Sequence, residues 1–338
     1  MAWRYLLVPL TPLYRGVVAA RGVAYDRGWL RSQSLDIPVI SVGNISFGGT
    51  GKTPMVVALV RDFVRLGRRP AVLTRGYGRR ERDLDVVVGP EPKQRVEEVG
   101  DEPLEMAGLL PGVPVVVEAD RVRGGREAQR LGADVVVLDD GFQHRRLRRD
   151  LDLVLLDAGD PWGGGRLPPI GRLREPLGAL RRASAVVVTK VPADWRPVVA
   201  RIEAELGRIA PGIPVLAARL QPSRVRLPEG WREPEILAGR RVFAFAGLGR
   251  PEGFAASLVE AGAEVAAKMW FPDHHFYSPG ELDEIVRGAR AVDAVPITTV
   301  KDAVKLPPDA PVWVVEAVME PVEGGWERLW AVEPKVVA

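Results

Sequence analysis

The chain contains no cysteine, which excludes disulfides, thiolate nucleophiles and cysteine-ligated zinc. Histidine is nearly as scarce: His144, His274 and His275 are the only three, too few for a histidine-rich metal centre. Lysine supplies 7 of the 47 basic residues, leaving 40 arginines. Guanidinium is planar and permanently charged, so this bias suits phosphates and anionic head groups, although a general compositional habit yields the same count. Neither sign of charge dominates, at a formal +3, and no long Lys/Arg run alternates with aromatics; nucleic acid is not an expected partner. With 46% hydrophobic and 27% charged residues among 338, the composition is that of a globular chain long enough for two domains.

Residues Met1–Leu30 lack what a membrane span needs. Trp3, Tyr5, Tyr14, Tyr25 and Trp29 sit among aliphatic residues, but the longest unbroken apolar stretch stops at Pro9 or Pro12, far below ~20 residues. The apolar region of a secretory signal is missing too. Because Arg4, Arg15, Arg21 and Arg27 punctuate the segment, it reads as a helix lying against an anionic membrane surface. Packing on its own domain is the alternative.

What is present is organised around Ser46-Phe47-Gly48-Gly49-Thr50-Gly51-Lys52-Thr53. The apolar run Ile37–Val42 precedes it, and Val56, Leu59, Val60, Phe63 and Leu66 follow at helical spacing within Met55–Leu66. Strand, glycine-rich turn and helix in that order gather backbone N–H groups and a helix N-terminus at one point, where a polyphosphate can sit. Lys52 is expected to reach the β- and γ-phosphates of a bound nucleotide, and the Thr53 hydroxyl to hold Mg²⁺. The usual pattern has glycine where this chain has Ser46, and a positive φ there would cost serine more.

Further along, Pro70–Thr74 reads as a buried strand ending in Arg75-Gly76-Tyr77-Gly78-Arg79-Arg80, a loop at the carboxyl end of a strand, where open α/β sheets bind ligands. Val86–Val88 reads as a short strand, and Gly100-Asp101-Glu102-Pro103 lies within the helical stretch Val96–Leu110; capping alone accounts for both acids there. Val113–Val117 and Asp134–Leu138 are apolar as in covered parallel strands, and the second runs into Asp139-Asp140-Gly141-Phe142-Gln143-His144. An aspartate ending such a strand suits a second Mg²⁺ contact; Asp157, after Leu151–Leu156, competes with Asp139 and Asp140. Gly159–Pro176 is too long for a simple connector and reads as a substrate loop. Near Pro214–Leu227 the alternation gives way to short extended pieces, a candidate hinge, before a second αβ unit from Arg241. Trp326–Val332 is expected to be extended.

These features specify a nucleoside triphosphate, not the fate of its γ-phosphate. Taken together, Ser41–Asn44 with Phe47–Pro54, Thr74–Gly78, Gly100–Pro103, Asp139–Arg146, Leu173–Pro176, Phe271–Phe276 and Thr298–Lys305 resemble the tetraacyldisaccharide 4′-kinase (lipid A 4′-kinase) family over nearly the whole chain. That family tolerates a non-glycine at the place of Ser46. The resemblance implies an ATP-dependent lipid kinase, peripheral on the cytoplasmic face of the inner membrane. It would phosphorylate the 4′-hydroxyl of a tetraacyl glucosamine disaccharide 1-phosphate without an obligate protein partner.

It also implies an α/β fold: a P-loop NTPase-like α/β/α sandwich with a second, smaller α/β/α domain joined by a two-stranded linker. On this sequence the kinase domain is 1–214 with its membrane-associating helix, 215–237 the linker strand region, 238–309 the smaller domain, and 310–338 the return strand and tail. By the same resemblance Asp101 is the base, with His274 of the second domain its partner and Lys52 at the transferring phosphate. Ser46, Phe47, Gly48, Gly49, Thr50, Gly51, Lys52 and Thr53 would bind ATP, while Thr53, Glu102 and Asp139 would serve Mg²⁺. Tyr77, Asp140, Gln143, His144, Arg174 and Glu175 fall in substrate motifs. The rivals are a membrane-recruited P-loop ATPase switch and a small-molecule kinase.

Overall fold

The computed structural model describes residues 11–336 except 78, 80–82, 84, 88 and 90–93. Met1–Leu10, Gly78, Arg80 and Val88 of the segments above therefore lie outside the described residues. The described residues open with helix α1 (Thr11–Asp26) and continue through β1 (Val39–Asn44), α2 (Lys52–Arg65), β2 (Pro70–Thr74), β3 (Asp85–Val87), α3 (Val96–Val99) and α4 (Asp101–Leu109). Next come β4 (Val115–Val117), α5 (Arg121–Arg130), β5 (Val135–Asp139), β6 (Leu151–Asp157), β7 (Ala185–Thr189) and α6 (Arg196–Ile209). The last part holds β8 (Val215–Leu227), β9 (Gly230–Arg232), β10 (Arg241–Ala246), α7 (Glu252–Glu260), β11 (Glu264–Trp270) and α8 (Pro279–Ala291). It closes with β12 (Val295–Thr299), α9 (Val300–Ala303), β13 (Trp313–Pro321) and α10 (Glu327–Trp330). Among the described residues no helix is long and apolar enough to cross a membrane.

In the first half the strand order is β7-β6-β1-β5-β2-β4-β3, parallel except for the edge strand β3. Strands β1, β2 and β4 to β7 are buried along their whole length. Their unbroken apolar runs follow from covering both faces. Alternate residues divide between the layers: Ile40, Val137 and Leu153 pack with Met55, Leu59 and Phe63 of α2. Val39, Val136 and Leu138 face Val122 and Ala128 of α5, while Val154 and Val186 face Ile202 and Leu206 of α6. This order puts the ends of β1, β5, β6 and β7 around the glycine-rich turn.

The second half is the parallel set β11-β10-β12-β13. Its connection differs from the short extended pieces expected near Pro214–Leu227. β8 is a single strand of 13 residues. Its first residues run parallel to β7 and the remainder antiparallel to β13. Pro222 sits opposite Ala317, where the register shifts, and such an irregularity tolerates a residue with no N–H to donate.

The tail is a second correction. Glu327–Trp330 is a helical turn, not an extended piece. The Trp330 ring lies 4.7 Å from that of Phe63, and its indole N–H donates to Asp62 Oδ2 at 2.7 Å. Tertiary burial overrides the β-preference of tryptophan in so short a segment.

Candidate active site

Helix α2 begins at Lys52 without a side-chain cap, leaving its first N–H groups to be met by a ligand. The positive φ values in the turn fall on Gly48 (122°) and Gly51 (85°) and not on Ser46, which pairs as an isolated bridge with Leu173. This is why serine is accommodated. The Phe47 N–H donates to the Arg172 carbonyl, and the Arg174 N–H to that of Ile45, each at 2.7 Å. Asn44 Nδ2 donates to Thr50 Oγ1 at 3.0 Å, the Thr189 hydroxyl to the Thr50 carbonyl at 2.8 Å, and Lys190 Nζ to the Gly49 carbonyl. Four described non-glycine residues take positive φ, and three of them, Asp140, Lys190 and His274, lie at this site, where strain is retained only if the surroundings impose it.

Asp101 and His274, 173 positions apart, meet through His274 Nδ1 and Asp101 Oδ2 at 2.8 Å. An ionised carboxylate only accepts, so Nδ1 carries the proton. Asp101 Oδ1 takes the Glu102 N–H at 3.0 Å, so the same carboxylate also satisfies one N–H in the first turn of α4. Burial alone would raise the Asp101 carboxyl. The His274 hydrogen bond and the charges of His274, Lys301 and Lys305 outweigh it and hold the group below its usual range. The Asp101 hydrogen bond in turn raises the imidazole, which favours imidazolium. The exposed Tyr77 ring lies 6.3 Å from that of His274.

Beside them, burial and then the charge of Asp139 push Glu102 up to about 7. Burial and Asp140 likewise raise Asp139. Thr74 Oγ1 donates to Asp139 Oδ2 at 3.0 Å, but Oδ1 is buried without a partner. Asp157 is different: it accepts from Lys190 and from Arg250, each at 3.2 Å, and from the Gly159 N–H at 2.9 Å. Asp139 therefore has the coordination capacity that Asp157 has already spent. Among the described residues no group of three or more His, Cys, Asp or Glu is arranged to hold a metal. Mg²⁺ does not need such a group, since it takes one or two carboxylates and fills its octahedron with phosphate oxygens and water. Asp139, Glu102 and Thr53 at the second position of α2 fit such an ion.

The remaining predicted residues form a groove. Asp140, Gln143, His144, Arg174 and Glu175 line it together with Tyr14 of α1. Arg174 Nη1 donates to both Asp140 oxygens, at 2.8 and 2.7 Å, and Lys52 Nζ lies 3.8 Å from Asp140. Burial opposes these cations, yet they hold the Asp140 carboxyl below its usual range. Glu175 accepts from Arg182 at 2.9 Å, and Gln143 Nε2 donates to the Asn44 carbonyl at 2.9 Å. Burial, then Arg121 and Arg75, lower His144 to about 4, so it is neutral at ordinary pH. Tyr77 stands apart from this groove, at the Asp101–His274 pair.

Sequence reasoning assigned no role to Thr189, Lys190, Arg250 or Lys305. Thr189 ends β7 and Lys190 follows it, and position at a strand end was the available signal. The Lys305 side chain is fully buried, 2.9 Å from Asp302 and 3.9 Å from Asp101, at the end of the Thr298–Lys305 motif that was given no role of its own.

Comparison with known proteins finds relatives over nearly the whole chain. A family model described as LpxK, tetraacyldisaccharide-1-P 4′-kinase, matches residues 3–332. The chain is 44% identical to the tetraacyldisaccharide 4′-kinase of Anaeromyxobacter sp. (strain Fw109-5), over 90% of this chain and 83% of that one. It is 46% identical to that of Anaeromyxobacter dehalogenans (strain 2CP-C), over 87% and 79%. A crystal structure of the "apo" form of LpxK from Aquifex aeolicus in complex with ATP covers 99% of this chain and 100% of its own, with 34% identity and a TM-score of 0.77.

Proposed function

The chain belongs to the tetraacyldisaccharide-1-P 4′-kinase family and is an ATP-dependent kinase acting on the 4′ position of a lipid A disaccharide precursor, and we propose how its residues divide that work. The observation that carries the reading is the 2.8 Å contact between Asp101 and His274 beside the glycine-rich turn. Asp101 accepts the proton of the 4′-hydroxyl as its oxygen bonds to the γ-phosphorus and the bond to the β,γ-bridging oxygen of ATP breaks. Phosphoryl transfer passes through a loose transition state that demands position more than basicity, so a carboxyl held low is adequate. His274 fixes the carboxylate, and Lys52 balances charge on the departing ADP. Asp139, Glu102 and Thr53 would hold Mg²⁺, which supplies neutralisation of the triphosphate charge.

Residues 1–214 and 238–309 act as two lobes hinged through 215–237 and 310–338. Closure brings His274 to Asp101 and excludes water, which favours transfer over hydrolysis. The disaccharide enters the groove beneath α1. Tyr14 OH donates to the Arg174 carbonyl at 2.9 Å and Arg145 to that of Gly22 at 3.0 Å, so this helix is docked while Val17, Val23, Trp29 and Leu30 stay exposed. Those side chains meet an anionic bilayer on the face where ATP is found, and the acyl chains remain in the lipid.

Incubation with labelled ATP, Mg²⁺ and the dephospho disaccharide lipid is expected to yield labelled lipid. Release of phosphate alone, with no labelled lipid, would indicate an ATPase. Co-sedimentation with anionic vesicles at low salt tests the membrane contact, and its absence would remove that element.

A further inference from the structure

The glycine-rich turn has a second contact between the two halves of the chain, on the flank away from the Asp101–His274 pair. β6 and β7 lie on one side of β1, while β5, β2 and β4 lie on the other. Asp101 belongs to the latter side: its neighbour Gly100 approaches the Tyr77 carbonyl just past β2. On the former side, Arg250, from the connection between β10 and α7, reaches Asp157 Oδ2 at 3.2 Å and Asp160 Oδ2 at 3.6 Å.

These two acids hold the phosphate-binding turn. Asp157 pairs with Lys190 at 3.2 Å, and Lys190 Nζ also donates to the Gly49 carbonyl. Lys190 adopts φ of 56° to do so, a conformation a lysine avoids unless its contacts impose it. Asp160 pairs with Arg172, whose carbonyl accepts the Phe47 N–H and whose Nη1 lies 3.7 Å from where a side chain on Gly48 would begin. Asp157 is largely buried, so a cation withdrawn from it is not replaced cheaply by water.

We propose that Arg250 is a positioning residue for the nucleotide: delivered by the second half of the chain, it locks the Asp157–Lys190 and Asp160–Arg172 pairs and so sets the carbonyl frame of the turn. Closure then grips the turn from both flanks, one contact serving the acceptor hydroxyl and the other seating the triphosphate. This inference rests on the reading that the turn binds ATP. Its test is therefore equilibrium binding of ATP with Mg²⁺ to the full chain, without lipid, followed by calorimetry.

Arg250→Ala is expected to weaken ATP binding about tenfold, the scale of coupling between charges in one network. Arg250→Lys recovers part of the loss. In steady state the KM for ATP rises more than kcat falls. Combining Arg250→Ala with Asp160→Asn costs less than the sum of the two, because they act through one network. An Arg250→Ala dissociation constant within about twofold of wild type, or strictly additive losses, would overturn the inference. A wild-type chain that binds no ATP would overturn the nucleotide reading and this inference with it.

Discussion

Asp157 and Asp160 on one flank of the glycine-rich turn are treated in the opposite way to Asp139 and Glu102 on the other. Toward β6 and β7, Asp157 and Asp160 are shared among Lys190, Arg172 and Arg250. Toward β5 and β2, Asp139 keeps a buried oxygen without a partner, and burial with neighbouring charge lifts Glu102 to about 7. Crowded carboxylates short of cations are costly to hold ionised. An incoming ion and substrate remove that cost on this flank. The saturated flank spends its charges on holding the protein to itself. On the proposed mechanism, the contrast separates the side of the chemistry from the side that frames it.

The largest effect is expected at the pair itself. Asp101→Asn should lower kcat by more than about 10²-fold, the usual scale for a positioned acid-base group, while ATP binding persists. Steady-state rates and calorimetry on the same preparation check it. Asp160→Asn should instead act mainly on ATP binding, and an equal loss of kcat from both variants would break the comparison. Next, Asp139→Asn should raise the Mg²⁺ concentration for half-maximal rate by roughly 10–100-fold, the range seen when a metal's supporting groups are removed. A magnesium titration showing no shift would place the ion elsewhere.

The smallest effect concerns pH and stability. Its pairing with Asp101 raises His274 above its ordinary 6.5. The stabilisation is thus complete below about pH 6.5 and is lost as pH climbs through the raised value. Asp101 is lowered below 3.8, so its own contribution holds above that and disappears only in acid. His274 is about a third exposed, so solvent screening limits the term to roughly 0.5 kcal/mol. The Tm gap between wild type and His274→Gln should accordingly be wider at about pH 6 than at about pH 9, and a gap that widens with pH would refute this assignment.

Much of the fold was legible because its signals are local. β2 has the bounds its apolar run predicted, and β6 covers the apolar run that ends at Asp157. Where signals were weak, the reading went astray. Pro222 disguised the continuity of β8, and two tryptophans made the turn at Glu327–Trp330 look extended. Within the site, Lys52 and Thr53 announced themselves by spacing. Lys190 and Arg250 did not, since nothing in a short window marks a cation whose partner is remote.

By itself the sequence determined the strand, turn and helix that make a phosphate cradle, since glycine placement and hydrophobic period act over a few residues. Only the tertiary structure decided which acids remain unneutralised, and that the opposite half supplies Arg250 beside the His274 that the resemblance named. Those outcomes depend on β8 and β13 folding the second half back across 173 positions for His274 and 93 for Arg250, and burial and charge balance exist only after that return.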